Sequence, residues 1–379
     1  MFLYELFLFV LGIAGAESFV PHLTSPTVPT PRSALSAVAP QLLEFQEPRT
    51  NVTVILVGAM HYNPASIALA ANTVETLGQS NSLGAVIVEQ CDIRWNKTAE
   101  LLAQRPYLEP FYRTALSNEM RQACDAALSY NCPVILGDQR VNLTFSSIRQ
   151  TAKQTIQDLL TPVVGWKRLY DDVRTNFDLA VPLGEGYLNA VSLLDTRLLL
   201  AAPVSFVKYP LSFLVRNPIT TSIAFSLLLG IDALDQSGTL DSLVGGEASA
   251  ADIALSFAFS ALETIFLARI FLKPMLAERN VILAQNILEQ CKIYQSTPAA
   301  KQQSKTWWRP ATAAAAAPFA TQQEVESSAL DKIVYAPETL AAGICPNERP
   351  KDNTAKTVVA VLGMAHCNGI KKLLMEQRV

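Results

Sequence analysis

The chain has 379 residues, half of them hydrophobic and 17% charged, and its 30 basic and 33 acidic side chains leave a formal net charge of −3. That length holds one large domain or two small ones, and the low charged fraction points to a large buried core with scope for membrane contact. The charge balance gives no attraction to nucleic acid, and no Lys/Arg-rich run with interleaved aromatics occurs, so nucleic-acid binding is set aside. The cysteines (Cys91, Cys124, Cys132, Cys291, Cys345, Cys367) contain no C-x-x-C pair, the usual spacing of a structural zinc site. A chain this long needs no disulfide framework, which leaves mostly free thiols.

Residues 1–16 (MFLYELFLFVLGIAGA) are an apolar run ending in small residues, as a secretory signal does, although Glu5 is unusual there and the positive n-region is missing. An N-terminal anchor helix is the alternative, but the run is short for a span. Residues 18–43 contain no acid and are rich in Ser, Thr, Pro and Ala, the composition of a transit peptide. Signal followed by transit resembles the bipartite leader of nuclear-encoded plastid proteins in algae with secondary plastids, and Phe19, just after Ala16-Glu17-Ser18, resembles the phenylalanine of their cleavage junction. The resemblance implies a plastid location for the mature protein, with residues 1–43 as leader. Three N-x-S/T sequons, at Asn51, Asn96 and Asn142, would suit the secretory pathway or a membrane instead.

From residue 51 to the end the chain reads as one α/β domain. Residues 52–57 (VTVILV) form a β-branched run expected to be a buried strand. Gly58-Ala59-Met60-His61 ends it, and Pro64 opens a helix to about residue 79. A second strand covers 84–89 (GAVIVE), a mostly helical segment 98–130, and a third strand 133–136 (PVIL), which ends in Gly137-Asp138-Gln139-Arg140. Another helix follows over 146–160. Strands alternating with helices imply a central, mostly parallel sheet whose sites gather at the strands' carboxyl ends. The middle, 211–272, is an apolar helical region. Its two long stretches (211–231 and 253–272) flank a Gly/Ser/Asp-rich loop and contain Arg216, Pro218, Glu263 and Arg269. A charge at the centre of a membrane span costs ~2.5–3.5 kcal/mol, so buried helices explain both stretches at least as well as membrane association. A helix with Glu278-Arg279-Asn280 covers 274–295, residues 296–323 are a low-complexity linker, and a last strand, 357–362 (TVVAVL), ends in Gly363-Met364-Ala365-His366 before a short helix.

The chain has three histidines, and His22 falls in the leader. The other two, His61 and His366, both stand in G-x-x-H directly after a β-branched strand, which places each imidazole at the sheet's rim. Glu89 follows buried residues in VIVEQC, where an acid is costly unless it is paired or ligating. Two histidines and a carboxylate form a common set for a divalent metal (zinc, manganese or cobalt), which would activate water and polarise a carbonyl. Alternatively Glu89 is a general base and a histidine holds the substrate or its oxyanion; a salt bridge from Glu89 to an arginine is the bland alternative. Cys367 beside His366 invites a Cys/His nucleophile, but neighbours in the chain rarely present both side chains in hydrogen-bonding geometry.

GAMH, VIVEQC, GDQRVNLTFSSIRQ, ERN and GMAHCNGI, in that order, resemble the motifs of the TraB family, which is similar to the Tiki metalloproteases and more remotely to the erythromycin-esterase and ChaN-like groups. The resemblance spans about residues 52–379 and covers the apolar middle and the linker poorly. It implies catalytic roles for His61, Glu89, Arg279 and His366, a metal on His61, Glu89 and His366, and substrate binding by Asp138 and Arg140. Gln139 stands between that last pair where members often read Asp-Arg directly. The function implied is metal-dependent hydrolysis of a peptide or a small amide or ester. A non-catalytic, membrane-associated adaptor or peptide-binding protein is the alternative, and an esterase with a histidine base and no metal is a third.

Overall fold

The computed structural model describes residues 40–182, 184–189, 192, 194–216, 222, 261–295, 335–336, 339–343 and 357–379. Nearly all of the leader, the 296–323 linker and most of the apolar middle lie outside these residues. Leu42 and Leu43, the last residues of the expected leader, belong to the fold: they open strand β1 (Leu42–Gln46), which pairs antiparallel with β2 (Thr53–Ala59).

After β2 come helix α1 (Pro64–Gln79), β3 (Leu83–Val88), α2 (Asp92–Gln104), a 3-10 turn (Pro106–Leu108), α3 (Glu109–Thr114), α4 (Glu119–Ser129) and β4 (Val134–Leu136). Then follow α5 (Val141–Leu159), α6 (Val164–Ala180) and α7 (Thr196–Arg216). A helix over 261–270 runs through a π-helical turn (Phe271–Ala277) into α8 (Glu278–Tyr294). A small hairpin, β5 (Tyr335–Ala336) with β6 (Thr339–Gly343), precedes β7 (Thr357–Gly363) and α9 (Met364–Met375).

The fold is mixed α/β around a five-stranded sheet of order β1-β2-β7-β3-β4, parallel except for β1. The last strand is thus the central one. β7 inserts between β2 and β3, pairing Val57 with Val361 on one side and Val88 with Val361 on the other. Burial on both faces explains why these strands read as unbroken apolar runs. One face (Ile55, Val57, Val86, Val88, Val359, Val361) packs on α1 and α4; the other (Val54, Leu56, Ile87, Val358, Ala360, Leu362) packs on α8 and α9. Among the described residues no helix is long and apolar enough to cross a membrane.

Candidate functional site

Because β2, β7, β3 and β4 run parallel, the residues just past their carboxyl ends share one rim. His61 follows β2, Glu89 follows β3, Asp138 follows β4 and His366 lies in the first turn of α9, after β7. The structure brings these four side chains to one place with Arg279, from the first turn of α8: Glu89, Asp138, His366 and Arg279 are directly linked, and His61 stands across Gly363 from Glu89.

Glu89 is at its centre. Its Oε2 accepts from the Gly363 N–H at 2.6 Å, and its Oε1 accepts from Arg279 Nη2 at 2.5 Å. His366 Nε2 stands 3.3 Å from the same Oε1. Arg279 also grips Asp138 with two bonds of 2.9 Å, from Nε to Oδ1 and from Nη2 to Oδ2. Arg94 closes the far side of Asp138. Burial acts to raise the Glu89 pKa, but the charges of His366, Arg279 and His61 and the His366 hydrogen bond outweigh it and hold the carboxyl well below its ordinary range. A carboxylate so held is a poor proton acceptor.

His61 is the solvent-facing member, with 32% of its side chain exposed. Its Nδ1 lies 2.6 Å from Oε1 of Glu119, a fully buried carboxylate at the start of α4. Glu119 Oε2 accepts the Tyr62 N–H at 3.1 Å. Tyr62 has φ +60°, a left-handed conformation costly for an aromatic residue, and its bond to Glu119 holds the turn that presents His61. Asn63 then caps α1 through Ala65 N at 2.9 Å, with Pro64 at the helix start. Burial acts to lower the His61 pKa, yet the hydrogen bond and charge of Glu119, with the field of Glu89, raise it above that of an ordinary imidazole. With Nδ1 on Glu119, Nε2 faces Glu89 past Gly363. A Cβ on Gly363 would lie 3.2 Å from Glu89 Oε2 and 3.4 Å from His61 Nε2, so glycine keeps this space clear.

His366 is held in the same manner, its Nδ1 2.7 Å from Asn280 Oδ1 on α8. Tyr209 of α7 stacks over His61 with ring centroids 6.2 Å apart. Beside the group a small cleft, open to solvent, is lined by Gln90, Trp95, Leu102, Tyr112, Leu116 and Asn118, among others.

Arg140 is elsewhere: it makes a two-point ion pair with Asp92 at the start of α2, at 3.2 and 2.8 Å, and 39% of its side chain is exposed. Cys367 is fully buried among the core residues of α8 and α9, and burial pushes its thiol up, away from the reactive thiolate. Cys91, Cys124, Cys132 and Cys291 are likewise buried free thiols. Glu119 and Arg94 had no signal in the chain, and Asn280 was marked only as the last residue of the ERN motif, with no role. Glu119 and Arg94 stand in first turns of helices, where charge is common on any surface.

The donors fit a divalent ion in kind. Both imidazoles have Nδ1 held by an oxygen and Nε2 turned inwards, and 3.3 Å between His366 Nε2 and Glu89 Oε1 is about the spacing of two donors ~2.0–2.1 Å from a shared ion. They do not fit it in arrangement. Arg279 occupies Glu89 Oε1, and among the described residues no group of three such side chains is gathered closely enough to hold an ion. No protein-family model, no curated protein and no solved structure matches the chain.

Proposed function

We propose that the chain is a hydrolase of amide or ester bonds, of the TraB-like kind that its paired G-x-x-H motifs resemble, with His61 as general base. The observation that carries this is the His61–Glu119 dyad: an imidazole about one-third exposed (32%), fixed through Nδ1 at 2.6 Å on a buried carboxylate, with Nε2 open towards the rim. Two buried carboxylates flank His61 in different roles. Glu119 orients it and favours its protonated form, whereas Glu89, its charge already matched by Arg279, contributes a fixed field. In the reaction, His61 Nε2 takes a proton from water as the water oxygen bonds to the substrate carbonyl carbon. The carbon–nitrogen or carbon–oxygen bond then breaks, and the leaving atom takes the proton back from His61. The aromatic-lined cleft beside Glu89 and Glu119 suits an apolar group on the substrate.

A divalent ion is the second reading, favoured by the inward Nε2 atoms and the 3.3 Å spacing of His366 Nε2 from Glu89 Oε1; it requires Arg279 to leave that oxygen. Hydrolysis of a panel of acyl esters and peptide amides by wild type, His61→Ala and Glu89→Gln, with metal content measured on each, separates the readings. Loss of ~10²–10⁴-fold in His61→Ala, with no metal bound, is the expected result. Metal bound by wild type and lost in Glu89→Gln favours the second reading. Full activity in His61→Ala overturns both, and no turnover by wild type leaves the non-catalytic adaptor.

A further inference from the structure

The tip where α5 turns into α6 reverses the usual placing of polar and apolar groups. Asp158, one residue short of the end of α5, is almost fully buried, with Arg269 Nη1 at 2.8 Å from Oδ2 and Arg168 Nη2 at 2.7 Å from Oδ1. Arg269 is itself buried and reaches Asp172 of α6 at 2.7 Å. Outside this ionic clamp six large apolar side chains are exposed, Ile156, Leu160, Val163, Val164, Trp166 and Tyr170, with Leu160 78% and Val163 81% accessible, beside the exposed polar Gln157 and Thr161. Soluble surfaces carry such residues singly; a run of them marks a contact surface.

The tip is also built to hold this shape. Val163 has φ +65° and ψ −65°, a strained conformation for a β-branched residue, and the Val164 N–H closes a three-residue turn on the Pro162 carbonyl at 2.8 Å. A Cβ on Gly165 would lie 2.2 Å from the Asp158 carbonyl oxygen, so glycine lets α6 start hard against α5. The Trp166 Nε1–H donates to the Leu159 carbonyl at 3.1 Å, so the indole satisfies its donor while its ring stays exposed.

A third element stands beside the tip. Helix 261–270 runs alongside α6 in the same direction: Arg269 binds Asp172, and Leu272 and Leu276 pack with Val173, Phe177 and Val181. Residues 261–265 therefore lie towards the α5–α6 turn, and Leu262 and Ile265 there are exposed as well. Behind the apolar rim stand exposed basic groups, Lys153, Lys167, Arg168 and Arg174, against the exposed acids Asp171 and Glu263. An apolar wedge with a Trp and a Tyr near its edge and cations behind it is the pattern of an interfacial membrane anchor.

We propose that this end of the molecule docks onto an anionic phospholipid bilayer, with Leu160, Val163, Val164 and Trp166 entering the headgroup–acyl boundary. The inference is independent of the hydrolase reading. The test is flotation of the whole chain with phosphatidylcholine vesicles, with and without phosphatidylserine, for wild type and for Leu160→Gln combined with Val164→Gln. Both positions are exposed, so the fold should survive, as an unchanged thermal melt would verify. Binding that strengthens with phosphatidylserine and falls by roughly tenfold or more in the double variant is expected.

Because other apolar segments of the chain can also bind lipid, a local reading is required. A chain with Trp95, Trp307 and Trp308 changed to Phe keeps Trp166 as its only tryptophan. Brominated lipid should quench its fluorescence. Vesicle binding unchanged by the double variant, or Trp166 left unquenched, overturns the proposal. A concentration-dependent dimer abolished by the same variant, without lipid binding, would assign the surface to a second copy of the chain and overturn it too.

Discussion

Glu119 and Glu89 are both buried carboxylates near His61 and both raise its pKa, Glu119 by a hydrogen bond and its charge, Glu89 by its field alone. Glu119 raises the His61 pKa, and only the neutral imidazole can take a proton from water. The activity of the wild type should therefore rise with pH through a value above that of an ordinary imidazole. Glu119→Gln removes the charge while keeping a side chain of the same size, so the rising limb should move to lower pH and kcat should fall by ~10-fold or more. A pH–rate profile with an unmoved limb would deny Glu119 this role. Gly363→Ala should lower kcat while shifting Tm little, because the added methyl would stand 3.2 Å from Glu89 Oε2 and 3.4 Å from His61 Nε2 rather than in the core. Paired kinetics and melting curves would check it. At this scale His61, His366, Glu89, Arg279 and Asp138 were legible, because a polar residue directly after a buried strand, or in a helix that packs on one, stands out against its neighbours. Glu119 and Arg94 were not, since nothing local distinguishes a helix-start charge that caps a surface from one that reaches a distant side chain.

Helix α1 runs over the residues expected, Pro64–Gln79, since an Asn cap followed by Pro is a strong local start signal. Two other elements departed from expectation for local reasons. Helix α5 starts at Val141, five residues earlier than expected, because Val-Asn-Leu-Thr is a weak helix former that the surrounding packing overrides. Strand β1 was missed altogether. It is short, lies at the sheet edge, has no clean alternation and directly follows Pro-rich sequence. Its turn into β2 is held by Glu47, whose buried carboxylate accepts from Arg49 N, Arg49 Nε, Thr50 N and Thr50 Oγ1 at 2.7–3.0 Å. Burial opposes the charge, but these donors win and lower the Glu47 pKa. Its contribution to stability is therefore present above the unfolded carboxylate pKa and is lost as pH falls through the lower folded value. Glu47→Gln should cost ~1–3 kcal/mol at neutral pH and flatten the acid side of the stability profile, measured by denaturant unfolding across pH. A variant as acid-sensitive as wild type would locate that sensitivity elsewhere.

For the whole molecule the decisive feature is that β7 is the central strand. A chain ending before Thr357 loses the strand that joins β2 to β3, so it should melt without a cooperative transition by circular dichroism, whereas loss of an edge strand would leave a sheet. Retention of a sharp transition would show that the rest of the sheet can close on itself. The sequence by itself determined the α/β class, most strand positions and the two histidine-bearing strand ends, because burial on both faces of a parallel sheet and turn chemistry are written in neighbouring residues. Only the tertiary structure decided that β7 lies between β2 and β3, that Arg279 takes Glu89 while Arg140 goes to Asp92, and that Glu119 is the partner of His61. Those are contacts between residues far apart in the chain, and they follow from strand order and helix packing, which no local pattern encodes.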